Sequence, residues 1–236
     1  MPYLLSPVIT YGAPGMWNEG PAYEKNTIYS IQSGSLPPVN YDEHIFRPHS
    51  LTHIETPAHT QKNGKRLGYY FENHLQFFYG KTVVIKLEGN HFKPIGSGLY
   101  HWEITIDEIK SRLNILEISS LPSRLLITTK FHPLNNQGFH DPNYILTLSE
   151  SAAEYLVSNP QFCLYGTSWK SSDYNPGKME RPIHNILFKQ ALIMENLQLN
   201  PVPEGKYFMS AFPLPIREAS ESPVVPVLFT TEELKA

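Results

Sequence analysis

The run His49-Ser-Leu-Thr-His53-Ile-Glu55-Thr-Pro-Ala-His59 constrains this chain more than any other stretch, because its composition asks for a sharp bend beside an extended segment. Four of the ten histidines fall between positions 44 and 59, and His49, His53, Glu55 and His59 all occupy odd positions. In extended backbone the side chains at i, i+2 and i+4 share a face, so these groups project toward one point. Neutral imidazoles and a carboxylate suit a borderline divalent ion such as zinc. Four fully extended residues span roughly 13 Å, whereas bonds to a single ion are only about 2 Å long. The chain must therefore turn between His49 and His53. One such histidine alone would be read as part of a solvated loop. Three of them with a carboxylate, all of one parity and flanked by Pro48 and Pro57, point to a metal site. His74, His91, His101, His132 and His140 lie in polar or turn-like contexts and are expected to be solvated or simply hydrogen-bonded.

With 236 residues the chain can bury a sizeable core without disulfides or a structural metal. No low-complexity linker or internal repeat divides it, so one domain over residues 1–236 is expected, and its 21 prolines imply long loops over a compact scaffold. A net charge of −3 with no basic run argues against nucleic acid as a partner. No stretch approaches about 20 consecutive apolar residues, and the start lacks a signal-like pattern, so a soluble, cytoplasmic protein with no membrane partner is expected. The single cysteine, Cys163, lies in the apolar run Gln161-Phe-Cys-Leu-Tyr165 and is expected to be a small, buried strand residue.

Strand and helix signals alternate along the rest of the chain. Gly80–Leu87 and Arg124–Thr129 are β-branched or apolar strand signals. Between them, Ile106, Ile109, Leu113 and Leu116 share one helical face, with Thr105 as cap and Glu108 at the capping-box position. A capped helix over Ser149–Val157 precedes a strand around Phe162–Tyr165. Pro182 opens a helix running through His184 to about Gln190, and Ala191–Met194 returns to the sheet. Lys206–Ala211 and Val224–Phe229 are late strand candidates, with Pro226 marking an edge or bulge. This order predicts an α/β fold with a mixed sheet.

A second ion needs another histidine and another carboxylate. His184, on the helix after Pro182, and Glu195, after the strand ending at Met194, are the best candidates, and Glu55 can bridge both ions with its two oxygens. A metal in such a site brings the pKa of bound water toward neutrality, so that a hydroxide is available to attack a carbonyl. His59, set apart by Pro57, is then better suited to general acid/base work than to ligation. Other catalytic plans fail: Gly166-Thr-Ser168-Trp-Lys170 lacks the closing glycine of a nucleophile elbow, and no Walker lysine or dinucleotide fingerprint occurs.

The pattern His-x-x-x-His-x-acid-x-Pro-x-His resembles the signature of the metal-dependent cyclase family, which includes the bacterial-type kynurenine formamidases (arylformamidases) and the isatin hydrolases. Further tracts occur in the family's order. Pro14-Gly-Met-Trp17-Asn-Glu-Gly-Pro21, Phe78-Tyr-Gly80-Lys-Thr-Val-Val-Ile85 and Leu146-Thr-Leu-Ser-Glu-Ser-Ala-Ala153 are followed by Gly166-Thr-Ser-Trp-Lys-Ser171-Ser-Asp173, by His184 through Glu195-Asn-Leu197, and by Phe212-Pro-Leu-Pro-Ile216 with Ser222-Pro-Val224. The resemblance implies a swivelling β/β/α fold in a homodimer or larger homo-oligomer. It implies one ion held by His49, His53 and Glu55, a second by Glu55, His184 and Glu195, His59 as acid/base, and Trp17 stacking on a planar small-molecule substrate. The implied chemistry is zinc- or manganese-dependent hydrolysis of an amide, formamide or lactam carbon–nitrogen bond. Against the family's usual form, Glu55 replaces an aspartate, Leu51 a glycine and Ser168 an aspartate, and the interval from His184 to Glu195 is one residue shorter. A non-catalytic or altered-activity relative, keeping the fold and at most one metal, is the alternative. Retention of His59 beside the whole ligand set favours the enzyme.

Overall fold

The computed structural model describes residues 1–235. The chain begins with β1 (Tyr3–Leu4), a hairpin of β2 (Tyr23–Tyr29) and β3 (Tyr41–Phe46), and the short β4 (His53–Glu55). Helix α1 (Leu67–Asn73) leads to β5 (Tyr79–Leu87), β6 (Lys93–Gly96) and β7 (Leu99–Ile104), then α2 (Ile106–Ile115), β8 (Arg124–Thr129) and β9 (Tyr144–Leu148). The remainder is α3 (Glu150–Val157), β10 (Leu164–Thr167), α4 (Pro182–Leu187), β11 (Leu192–Glu195), β12 (Gly205–Ser210), β13 (Glu221–Pro223) and β14 (Val227–Phe229).

Nine strands form one mixed sheet in the order β1-β14-β12-β5-β8-β10-β11-β4-β13. Its centre is parallel, β5 against β8, β8 against β10 and β10 against β11, while the flanking pairs are antiparallel. Central parallel strands bury both faces, which is why β5 and β8 read as near-continuous apolar runs. Val83, Ile85, Leu125, Ile127, Tyr165 and Ile193 point to a layer built from α2, α3, α4 and the small sheet β6-β7-β9. Val84, Leu126, Leu164, Leu192 and Met194 face the other way, toward α1, Ile54 and the C-terminal strands. The mixed α/β architecture matches the expectation.

The α2 start is the reciprocal capping box its sequence announces, with Thr105 and Glu108 each satisfying the other's backbone N–H. Ser149 caps α3. Elsewhere the boundaries move. Strand β10 starts at Leu164 rather than Phe162, because its ladder with β8 opens where Leu164 meets Arg124. Cys163 is consequently outside the strand and only half-buried, with its thiol donating to the Ser123 carbonyl. Helix α4 ends at Leu187 instead of Gln190. Strand β11 runs on through Glu195, since that residue pairs with His53 on β4. The expected strand Val224–Phe229 shrinks to β14 at Val227–Phe229, paired with β12 and β1, while β13, paired with β4, ends just before it at Pro223. Pro226, without an N–H, sits in the crossing between them, and its carbonyl accepts from the Leu5 N–H at 2.9 Å.

Close approach leaves no free room for a side chain at Gly166 and Gly64. A Cβ on Gly166 would meet Leu126 Cδ2 at 2.5 Å and Leu197 Cδ1 at 2.7 Å, and one on Gly64 would meet the Pro57 backbone carbonyl carbon at 2.3 Å. Gly64 thereby lets the segment after His59 fold back onto the turn that carries it.

Candidate metal centre

Strand β4 is three residues long, and its pleat puts His53 and Glu55 on one face. The bend required between His49 and His53 is a 3₁₀ turn at Pro48–Ser50, opened by the proline. Leu51 leaves that turn at φ −123°, extended backbone open to any residue, so the position needs no glycine freedom. A second 3₁₀ turn, Pro57–His59, brings His59 back over the strand. On the neighbouring strand β11, Glu195 stands opposite His53, and α4 delivers His184 from the same edge.

All of the expected residues converge. Glu55 Oε1 lies 3.1 Å from His53 Nε2, 3.2 Å from His49 Nδ1 and 3.4 Å from His59 Nε2. Glu55 Oε2 lies 3.0 Å from His184 Nε2. Glu195, expected on one side only, spans both: Oε1 is 3.5 Å from His184 Nε2 and Oε2 is 3.7 Å from His53 Nε2. Two trios, His49-Glu55-His59 and His53-Glu55-Glu195, each offer ligand atoms within 4.8 Å of one another. His53, Glu55, His184 and Glu195 are almost wholly buried, while His49 and His59 are half-buried on the open side.

Residues around this cluster orient it. The His184 Nδ1–H donates to Asp173 Oδ2 at 2.6 Å, which aims the other ring nitrogen at Glu55 Oε2, 3.0 Å away, and at Glu195. His53 Nδ1–H donates to the Leu51 carbonyl at 2.9 Å, freeing Nε2 in the same way. Metal-ligating histidines carry this second hydrogen bond because it fixes tautomer and ring direction. The His49 Nδ1 and His53 Nε2 atoms face each other at 3.1 Å. Two imidazole lone pairs at that distance repel unless a proton or cation lies between them. The Ser172 backbone N–H donates to Glu195.

The electrostatics agree with a site meant for positive charge. Burial alone would raise the Glu55 carboxyl, but hydrogen bonds and charge from His184, with further bonds from His49 and His53, hold it well below the usual carboxylate range. Burial and the Glu55 charge push Glu195 up to about 7. Burial opposes protonation of His184, yet its bonds to Asp173 and Glu55 lift it to about 10. Burial lowers His59 to about 4, which leaves it neutral and able to take a proton. Three inward imidazoles and two buried carboxylates are the donor set of a borderline divalent cation, so the residues present fit a metal.

Several neighbours carried no sequence signal for the site. Asp173 was visible only as a position in a tract. Glu221, on β13, places its carboxylate oxygens 3.9 Å from His49 Nε2 and 3.9 Å from His59 Nδ1. Trp17 lies at the rim, 41% exposed, with its indole N–H donating to the His49 carbonyl at 3.1 Å. Ser168 is not at the centre; it bonds His140 and Thr128 deeper in the fold. His140 is fully buried rather than solvated, bonded through both ring nitrogens to Ser168 and the Tyr144 carbonyl.

Fold and site together define a metal-dependent amidohydrolase. The chain is 30% identical over 198 residues to the kynurenine formamidase of Bacillus thuringiensis subsp. konkukian, covering 84% of this chain and 82% of that one. It is 30% identical over 217 residues to the kynurenine formamidase of Paracidovorax citrulli, covering 89% and 91%. The chain belongs to the kynurenine formamidase family. No family model matches it. Its fold is that of isatin hydrolase A from Ralstonia solanacearum, with a TM-score of 0.73 at 17% identity over 98% of this chain and 92% of that one. A predicted metal-dependent hydrolase from Bacillus stearothermophilus shares it too, with a TM-score of 0.68 at 23% identity over 97% of each chain. Among the described residues no helix is long and apolar enough to cross a membrane.

Proposed function

We propose that this protein hydrolyses an aryl formamide, amide or lactam at the carbon–nitrogen bond, with His49, His53, Glu55, His184 and Glu195 holding one or two zinc or manganese ions. The observation that carries the proposal is Glu55, whose two oxygens face separate histidine sets at 3.1 Å and 3.0 Å. When bound there, the metal supplies Lewis acidity, polarising a carbonyl and easing the loss of a proton from water. Asp173 and the Leu51 carbonyl keep the His184 and His53 rings aimed inward. His59 is the acid/base: neutral near pH 7, it takes a proton from the attacking water and returns it to the departing nitrogen. Water's oxygen ends in the released acid, and the amine leaves with the proton. Trp17 offers its face to the aromatic part of the substrate at the cavity mouth.

Residues 1–236 act as one formamidase-like domain, in the cytoplasm and as a homodimer or tetramer. Support comes from the match to curated relatives along most of the chain. The test is release of formate from N-formylkynurenine and ring opening of isatin by protein stripped with chelator and then reloaded with manganese or zinc. Turnover that returns with the metal supports the proposal; turnover by stripped protein, or by none of the loaded forms, rejects it.

A further inference from the structure

Glu195 is the last residue of β11, and the residue after it takes the chain out of the sheet in a conformation that side chains rarely adopt. Asn196 has φ +58°, in the left-handed region, and is 1% exposed. The other non-glycine residues with positive φ among the described residues, Ser97 and Glu117, lie in exposed turns. A second local cost falls on the same side chain, because its Oδ1 is buried without a hydrogen-bond partner. Backbone strain and an orphaned acceptor at one buried position persist only where the surrounding structure over-determines them.

The nitrogen of the same amide shows what holds it there. Asn196 Nδ2 donates to the Leu51 carbonyl at 3.0 Å and to the His49 carbonyl at 3.1 Å. The Leu51 carbonyl is also the acceptor that aims the His53 ring, and the His49 carbonyl is the acceptor of the Trp17 indole N–H. The Thr52 hydroxyl answers by donating to the Asn196 carbonyl at 2.7 Å. On its other side the Asn196 N–H donates to the Trp169 carbonyl at 3.0 Å, where the loop that carries Lys170 to the metal cavity begins. Two carbonyl acceptors take both amide protons, which fixes the group's orientation: turned over, it would set Oδ1 against two carbonyl oxygens. The unpaired oxygen is thus a consequence of bonding the nitrogen to the turn that bears His49 and His53.

The β4–β11 ladder ends at the pair Glu195 and His53, and Asn196 takes over where it stops. We infer that Asn196, given the metal reading of this cluster, is a positioning residue: its amide sets how far the His49–His53 turn stands from Glu195, so that the two halves of the donor set are in place before an ion arrives. It touches no ion itself and acts through the two carbonyls. Hydrogen bonds one step behind the ligands change metal affinity by about 10- to 100-fold when they are removed.

The experiment compares Asn196→Gly and Asn196→Ala with the wild type. Both remove the amide, but glycine takes a positive φ freely and alanine does not. Zinc affinity is measured by competition with a chromophoric chelator, coordination geometry by the visible absorption of cobalt-loaded protein, and stability by the urea midpoint of the metal-free protein. We expect Asn196→Gly to have the higher urea midpoint of the two, yet both to lose zinc affinity alike, by about 10- to 100-fold, and to share an altered cobalt spectrum. Arg112→Ala, outside the centre, should lower the midpoint and leave affinity and spectrum as in the wild type. Wild-type affinity and spectrum in Asn196→Gly would overturn the inference, as would an affinity loss that simply follows the urea midpoint across the three variants. A wild type that takes up neither zinc nor cobalt would reject the metal reading itself, and the role of Asn196 with it.

Discussion

Glu55 and His184 are 129 positions apart in the chain, yet Glu55 Oε2 faces His184 Nε2 at 3.0 Å. The contact is made possible by β4 lying antiparallel to β11 and by α4 entering that strand from the same edge. Shortening Glu55 to aspartate removes a methylene from a side chain that reaches both histidine sets. We expect Glu55→Asp to lose one of the two faces and Glu55→Gln to lose metal altogether. Metal analysis of each variant, with a fall in kcat of at least a hundredfold for Glu55→Gln, checks this.

His59 sits within ligand distance of Glu55 but on the open side of the cluster. If it moves protons rather than holding metal, His59→Gln should keep the metal content of the wild type while kcat falls by about 10²–10⁴. Loss of an equivalent of metal in His59→Gln would make it a ligand instead.

The buried His140 and its half-buried neighbour His132 set an acid limit on stability. Burial pushes His140 down to about 4 and His132, also facing His140 and Lys86, down to about 3. An unfolded histidine titrates near 6.5. Between pH 6.5 and about 4 the unfolded chain therefore binds more protons at these positions than the native one, and stability falls as pH drops through that window. Above pH 7 the two groups contribute no slope. For His140 the full effect is on the order of 3 kcal/mol. Urea midpoints at pH 7, 6 and 5 should decline in the wild type and decline less steeply in His140→Gln; parallel slopes would refute the assignment.

Arg112 ties α2 to the sheet through Glu204 and Glu88, with its side chain 7% exposed. Arg112→Ala leaves Glu204 without its main partner in a largely covered position. A loss of about 3 kcal/mol is expected, read as a lower denaturant midpoint with unchanged slope.

Gly64 lies against the Pro57 backbone, where no side chain fits. Gly64→Ala should displace the Pro57–His59 turn and lower kcat more than metal content, because His49, His53 and Glu55 lie on the other side of that turn. Comparable activity in Gly64→Ala and wild type would show that the turn tolerates the shift.

What the sequence revealed was mostly local. The capping box of α2 needs only Thr105 and Glu108, and the shared face of His53 and Glu55 needs only the strand pleat. The turn at Pro48–Ser50 followed from distance alone, since an extended chain holds His49 too far from His53. His184 and Glu195 were legible as candidates from their places after Pro182 and Met194 and through the resemblance, though no spacing links either to residue 55. Glu221 and Lys170 were missed as site neighbours because each arrives through pairing or a loop far along the chain. The late strand was drawn too long because Val224 and Val225 have the same β-propensity as Val227–Phe229, and nothing local says that the chain crosses there from β13 at one end of the sheet to β14 near the other.

The central claim is that the histidine–glutamate cluster is a metal centre serving hydrolysis. Plasma mass spectrometry of untagged protein purified without chelator, with His53→Ala alongside, tests it most directly. The account predicts one or two equivalents of zinc or manganese per chain in the wild type and loss of metal in the variant. Protein that is metal-free as isolated and takes up neither ion on addition would contradict it.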